Sequence, residues 1–302
     1  MSIELVREFP CDNAESFLKM LTPGTGQLAN QTHIYRGQAD DKWNLIPASE
    51  RKLGHITARS LYGTDYPTGP QQRVFEAAVL RKFLDACDIS GLVVPGYNKD
   101  TQSYLKAQED IQALDSRWPA PHIHECLAVA QHYGIPTRLL DWTRRSYVAA
   151  YFAVSSALRA NNSEGNIAVW ALDIKHHAKW RSVSMIVLPG GTAPNMAAQS
   201  GIFTAVRGTF PVYNAGEGLE SVRELSDPMT NGEKPLFKIT VPRTECASIL
   251  RLLELYGVSA PVLFPGMEGA KQYVADWAQS DFFGQDRDYN PPTLFDLSTG
   301  SS

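Results

Sequence analysis

The stretch Gln131-His-Tyr-Gly-Ile-Pro-Thr-Arg-Leu-Leu-Asp-Trp-Thr143 decides the fold, because it carries the end of one element, a turn and the start of another. Upstream, Ile123, Cys126, Leu127 and Ala130 recur at helical spacing, which predicts a helix over 122–133 that stops before Gly134. Pro136 punctuates the turn. The following residues alternate, so 137–143 is expected as a strand with Leu139, Asp141 and Thr143 on one face and Arg138, Leu140 and Trp142 on the other. Asp141 then lies between a Leu and a Thr, and a buried position would oblige it to find a partner. Downstream, Ser146 is expected to cap a helix that runs to about Arg159.

This helix–strand–helix unit sits between other elements of both kinds. Before it come a short helix near 13–21, a strand at 33–36 and a core helix over 71–87, with Phe75, Val79, Leu80, Phe83, Leu84 and Cys87 on one stripe. After it come strands at 166–172, 183–188, 236–241 and 262–264, and helices near 244–256 and 267–279. Strands and helices interleave without strict alternation. The expected class is therefore α+β, a mixed sheet core with flanking helices, rather than a doubly wound sheet. No repeat, low-complexity block or linker divides the chain, and the Pro-, Gly- and Ser-bearing stretch 281–302 is expected to be a loose tail.

Composition narrows the function classes. A net charge of −4 gives no global attraction to a phosphate backbone, so contact with nucleic acid requires a local basic patch. No run approaches the roughly 18 apolar residues of a membrane helix and no leader pattern opens the chain, so a cytoplasmic protein without membrane contact is expected. Cys11, Cys87, Cys126 and Cys246 form no C-x-x-C pair and read as reduced, buried thiols. Cys126 lies near His132, but six residues apart on one helix is poor geometry for nucleophilic attack. His122-x-His124-Glu125 and His176-His177 lack the i,i+4 spacing of helical metal ligands, so no metal site is expected. The glycine pairs at 24–26 and 190–191 fit neither a P-loop nor a dinucleotide fingerprint, and no G-x-S-x-G elbow occurs.

Polar residues with chemical potential cluster in two places. Tyr35-Arg36-Gly37-Gln38 sets a planar guanidinium at a strand end beside a glycine, where backbone can be approached closely; this suits a phosphate or carboxylate ligand. The structural alternative pairs Arg36 with Asp40 or Asp141. His132, in the last turn of its helix, is either a simple cap or a proton carrier.

Taken together, Tyr35-Arg-Gly-Gln38, Leu45-Ile-Pro47 with Arg51, the stretch 131–143, Ala149-Ala-Tyr-Phe-Ala153 and Gln199-x-Gly201-x-Phe203-Thr204 resemble the FRG domain family, over about residues 30–270. The resemblance implies a bacterial or phage-associated module occupying residues 1–280. Phe264-Pro-Gly-Met-Glu-Gly269 stands where the family tends to have an acidic Pro-Asp-x-Asp-Gly stretch, and Asn195-Met-Ala lacks an Arg common before the Gln.

A fainter pattern is similar to the Arg–Ser–Glu class of ADP-ribosyltransferases, which implies an ADP-ribosyltransferase-like fold and NAD as substrate. In that class an Arg holds the NAD phosphates, a hydroxyl-bearing strand orders the nicotinamide pocket and a later Glu meets the ribose. Arg36 and Thr143 match the first two roles, while Gln199-x-Gly201 stands at the third. The implied NAD contacts are Tyr35, Arg36, Gly37 and Gln38, with Tyr133 or Trp142 to stack. Arg36, His132, Asp141, Thr143 and Gln199 are the candidate catalytic set, with Gln199 or Asp141 reaching the ribose. The resulting expectation is a mono-ADP-ribosyltransferase-like toxin or defence effector that modifies a macromolecular acceptor, protein or nucleic acid, and is restrained by an antitoxin protein. The alternatives are a non-catalytic module for nucleotide, nucleic acid or peptide, and a metal-independent nuclease with His132 as base.

Overall fold

The computed structural model describes residues 6–25, 28, 32–51, 69–113, 115, 117–160, 163–208, 218–222, 225 and 234–283. Its strands are β1 (Val6–Pro10), β2 (His33–Gln38), β3 (Leu140–Thr143), β4 (Asn166–Asp173), β5 (Val183–Ile186), β6 (Gly201–Val206) and β7 (Leu236–Pro242). Its α-helices are α1 (Ala14–Leu21), α2 (Gly69–Ile89), α3 (Lys99–Ala107), α4 (His124–His132), α5 (Ser146–Arg159), α6 (Met196–Gln199), α7 (Cys246–Leu255), α8 (Ala260–Leu263) and α9 (Met267–Phe283). The strands form one sheet in the order β1-β7-β4-β2-β3-β6-β5. Only β1 and β7 run parallel; every other neighbouring pair is antiparallel. The architecture is a mixed seven-stranded sheet with flanking helices, an α+β fold.

The alternation of side chains across the sheet sorts the core into three clusters. On one face Tyr35, Val169, Ala171, Ile239 and Val241 meet the apolar sides of α1, α5 and α7. Further along that face Leu139, Phe203, Ala205 and Ile186 meet α2, α3 and α4. On the opposite face Ile34, Leu140, Trp142, Trp170 and Ile202 pack beneath Leu45, Trp180, Leu219 and Val222. The two helical groups thus cover different halves of one face, and β2 and β3 lie where they meet.

The local reasons for these elements are visible in the sequence. Asn13 caps α1, accepting from Ser16 N at 2.9 Å, while Ser16 Oγ closes the reciprocal capping box. Helix α5 starts at the expected residue, but its cap position is Arg145; the Ser146 hydroxyl donates instead to Leu21 O at 2.6 Å, tying the end of α1 to the start of α5. The strand expected over 137–143 is confined to 140–143. The strand expected at 262–264 is a correction of type: Ala260–Leu263 is helical, because Pro261 sits in the first turn, where its missing N–H costs nothing. The edge strand β1, α3 and β6 carried no expectation. The tail expected over 281–302 lies outside the described residues from 284 onward. Among the described residues no helix is long and apolar enough to cross a membrane.

Candidate functional site

A cavity of about 360 Å³ opens where the two helical groups part over β2 and β3. Arg36, His132, Asp141, Thr143 and Gln199 all line it, although they come from β2, the end of α4, β3 and the end of α6. Tyr35 and Gly37 line it too, and Phe152 and Ser156 of α5 form part of the opposite wall.

The cavity exists because β2 and β3 separate. Across these strands only Tyr35 and Thr143 pair. One residue further, the Arg36 guanidinium takes the place of a ladder bond, its Nη1 donating to the Asp141 carbonyl at 2.8 Å. The same nitrogen lies 3.5 Å from Asp141 Oδ2, an ion pair whose side chains are 14% and 59% exposed. Of the two structural partners open to Arg36, Asp141 is therefore the one it meets; Asp40 pairs with Arg243 Nη2 at 3.0 Å. Arg36 Nε is buried with no hydrogen-bond partner.

Gly37 has a different reason from the one its position at a strand end suggests. A Cβ there would lie 2.0 Å from the Ala149 carbonyl oxygen and 2.7 Å from Ala153 N, so the glycine admits the backbone of α5 against β2. The close approach is by the protein's own helix.

Asp141 is exposed rather than buried, yet it is held. Gln131 Nε2 donates to Asp141 Oδ1 at 2.5 Å, and Thr137 Oγ1 donates to Gln131 Oε1. Arg51 reaches the same region, its Nε donating to Ile46 O at 3.0 Å. Burial, and then the neighbouring charge of Arg36, push the Arg51 guanidinium below its usual value, while Asp141 pulls it back up. Burial alone raises the Tyr35 phenol.

Thr143 and Gln199 serve the wall. Thr143 Oγ1 donates to the Gln199 carbonyl at 2.7 Å and accepts from Arg145 N at 3.1 Å. The Gln199 side chain donates to Leu263 O at 3.2 Å, anchoring α6 to α8. Two expected contacts, Gln38 and Tyr133, do not converge. Gln38 is buried, its Oε1 accepting from Trp170 Nε1 at 2.7 Å and its Nε2 donating to Asn44 O at 3.3 Å. Tyr133 is 65% exposed and packs on Phe83 and His132 outside the lining. Trp142 does line the cavity, while its indole also packs in the cluster on the far face of the sheet and donates to Thr204 Oγ1 at 2.9 Å. Phe152 of the Ala-x-x-Phe helix, Tyr35 and Phe203 also give aromatic faces to the lining.

Other reactive groups lie apart. Cys126 is buried, donates to Pro95 O at 3.4 Å, and burial pushes its thiol up to about 12, a state unsuited to nucleophilic attack. Among the described residues no group of three or more His, Cys, Asp or Glu side chains is placed to hold a metal ion. His122 stacks edge-on against Tyr104, and His124 Nε2 faces Pro119 O at 3.1 Å.

The residue that sequence reading passed over is Glu76. It stands on the buried side of α2, where a helix-borne Glu ordinarily faces water. Its carboxylate accepts from Ser49 Oγ, Gln72 Nε2, Trp118 Nε1 and Arg138 Nε, which locks α2 to the approach of β3. Its place within the apolar run Val74-Phe-Glu-Ala-Ala-Val-Leu80 was the available signal, together with Arg138 inside the motif, which calls for an acidic partner.

Comparison with known proteins returned no match among the curated proteins and none among the solved structures. A family model described as FRG domain matches residues 31–162, the span that holds β2, α4, β3 and α5 and hence most of the cavity wall. Over residues 31–162 the chain is thus similar to the FRG domain family.

Proposed function

We propose that the cavity over β2 and β3 binds NAD and that the protein is a mono-ADP-ribosyltransferase-like toxin or defence effector. It works in the cytoplasm on a macromolecular acceptor, protein or nucleic acid, under the control of an antitoxin protein. One observation carries the reading. The Arg strand β2, the hydroxyl strand β3 and the strand β6 that follows Gln199 are consecutive neighbours in the sheet, and Arg36, Thr143 and Gln199 meet at one cavity. Those are the three positions that the resemblance to the Arg–Ser–Glu class distributes over three strands.

The physical requirements of the reaction fit the wall. Breaking the bond between ribose C1′ and the nicotinamide nitrogen sends the electron pair out with nicotinamide and leaves positive charge on the ribose. The acceptor then forms its bond at C1′ and releases a proton. Arg36 anchors the phosphates with the part of its fork that Asp141 O leaves over. Phe152 offers an apolar face to the nicotinamide, and Asp141 and Gln199 border the ribose position. The volume suits the nicotinamide-ribose half, with the adenosine half beyond the rim.

A second reading draws on a specific observation. Arg36 Nη1 and the Gln199 amide both bond to main-chain carbonyls, as polar groups of a scaffold do. A non-catalytic module that binds a nucleotide, nucleic-acid end or peptide in the same cavity would need no more. His132 at the cavity edge keeps a nuclease as a third outcome.

The test is nicotinamide release from NAD by the purified protein, alone and with cell extract as acceptor. Slow release alone, faster release with extract and no inhibition by a chelator are the expected results. NAD that stays intact under both conditions would overturn the transferase reading in favour of the recognition module, and cleavage of nucleic acid in its place would favour the nuclease.

A further inference from the structure

Among the described residues that line the cavity, Asp141 is the one acidic side chain. Its two oxygens are engaged from different elements. The Gln131 amide at the end of α4 approaches Oδ1 at 2.5 Å, and Arg36 of β2 approaches Oδ2 at 3.5 Å. The orientation of the amide follows from valence: an ionised carboxylate only accepts, so Gln131 must turn its NH₂ toward Asp141 and its carbonyl oxygen toward Thr137. Thr137 Oγ1 already accepts from Leu139 N at 3.1 Å, so its proton is free to serve Gln131. The result is a directional relay, Thr137 to Gln131 to Asp141, that ends on a carboxylate still 59% exposed to the cavity.

Fixed orientation combined with exposure is what a transition-state contact requires, because a charge held in place needs no rearrangement when the opposite charge develops beside it. Gln199 does not combine the two. Its Nε2 is committed to Leu263 O, and an amide brings no charge.

We propose that Asp141, rather than Gln199, supplies the negative charge that faces the ribose as the nicotinamide bond breaks, and that Gln131, set by Thr137, is the residue that positions it. The proposal rests on the NAD reading above and names its catalytic carboxylate. With water as acceptor the step balances: the C1′–N bond breaks with its electron pair leaving on nicotinamide, and a water oxygen forms the new bond to C1′. The water proton passes by way of the Asp141 carboxylate to solvent, giving ADP-ribose, nicotinamide and a proton.

Steady-state nicotinamide release by the full chain tests this with Asp141→Asn, Gln131→Met, their double variant and Gln199→Ala, each checked for a folded melting transition. Asp141→Asn is expected to lower kcat about 10²–10³-fold with little change in KM, the scale of losing one preorganised electrostatic contact. Gln131→Met is expected to lower kcat about tenfold, the scale of one hydrogen bond to a charged group. The double variant should be no slower than Asp141→Asn, because Gln131 acts only through Asp141. Gln199→Ala, which removes a neutral amide from the same wall, should lower kcat less than Asp141→Asn does and should also lower the melting temperature through the lost bond to Leu263 O. Near-parental kcat in Asp141→Asn, or independent multiplying losses in the double variant, would overturn the assignment while leaving the NAD reading intact. A parent protein that releases no nicotinamide would overturn both. Should Asp141→Asn fail to fold, the kcat and KM of Gln131→Met decide, since loss through KM alone contradicts a positioning role.

Discussion

The motif at 131–143 supplies one half of two Arg–carboxylate pairs, and the two are built to opposite specifications. Arg138 meets Glu76 at 2.6 Å with both side chains nearly sealed, 7% and 2% exposed. Glu76 takes four donors, and Arg138 Nη1 donates to the Val206 and Gly208 carbonyls, both at 3.0 Å. Three residues on, Asp141 meets Arg36 at 3.5 Å and stays open to the cavity. In the first pair every lone pair has a protein donor, so nothing is left for a ligand. In the second the carboxylate is aimed but not saturated. Burial and hydrogen-bond saturation, not the presence of an ion pair, separate scaffold from site within one short sequence.

The largest test of that contrast is Glu76→Gln, which keeps the shape and leaves the Arg138 charge buried without its counter-ion. Stability should fall by about 3–5 kcal/mol in a urea titration. Replacing both partners by apolar residues, Glu76→Leu with Arg138→Met, should recover much of it, since a sealed pair is costly chiefly when broken. Recovery of nothing would mean that Ser49, Gln72 and Trp118, rather than the pair, carry the effect.

Next in size is Gly37→Ala. The new methyl meets the Ala149 carbonyl, which belongs to helix backbone and cannot swing away. A loss of about 1–3 kcal/mol is expected from forced displacement of α5, with NAD binding weakened in step because α5 carries Phe152 into the cavity. Unchanged stability would show that α5 and β2 are further apart than described.

Asp141→Asn should change stability by no more than about 1 kcal/mol, as befits a half-exposed pair. The same substitution that cripples turnover should thus barely move the melting curve, the reverse of Glu76→Gln, and a large loss of stability would erase the distinction between the two pairs.

The smallest effect concerns a third carboxylate. Asp276 is buried against neutral donors, Tyr151 and Gln272 Nε2, and burial raises it above its ordinary 3.8, with those hydrogen bonds opposing the rise. The folded chain then holds the proton to higher pH than the unfolded chain. Stability from this group is therefore complete below the ordinary value and is lost as pH rises through the folded one. Asp276→Asn should remove that slope, leaving a variant at least as stable as the parent at neutral pH and no better in acid. Thermal midpoints across that pH range would check it, and a parent whose stability rises there relative to the variant contradicts the sign.

How much of this was legible in the sequence follows from the range of each interaction. Helix α5 and the two faces of β3 rest on local periodicity, and the structure puts Leu140 and Trp142 on one side and Asp141 and Thr143 on the other as alternation requires. That Arg36, His132, Asp141 and Gln199 line one cavity was expected from the need of separate polar segments to converge on a site, and the lining bears it out; the strand pairing that achieves it is not specified by periodicity. The role of Gly37 was read as room for a ligand, because no sequence feature indicates which backbone approaches. Trp142 lines the cavity as expected of a stacking ring, yet its indole also packs in the far cluster. Glu76 was missed since its four donors lie at 49, 72, 118 and 138.

The most direct measurement is titration of NAD into ¹⁵N-labelled protein with backbone amides followed by NMR. Shifts should concentrate at Tyr35, Gly37, Gln131, Asp141, Thr143 and Gln199, and leave Glu76, Trp118 and Arg138 unmoved. No response at millimolar NAD, or shifts that gather around the sealed Glu76–Arg138 pair instead, would contradict the placement of the site.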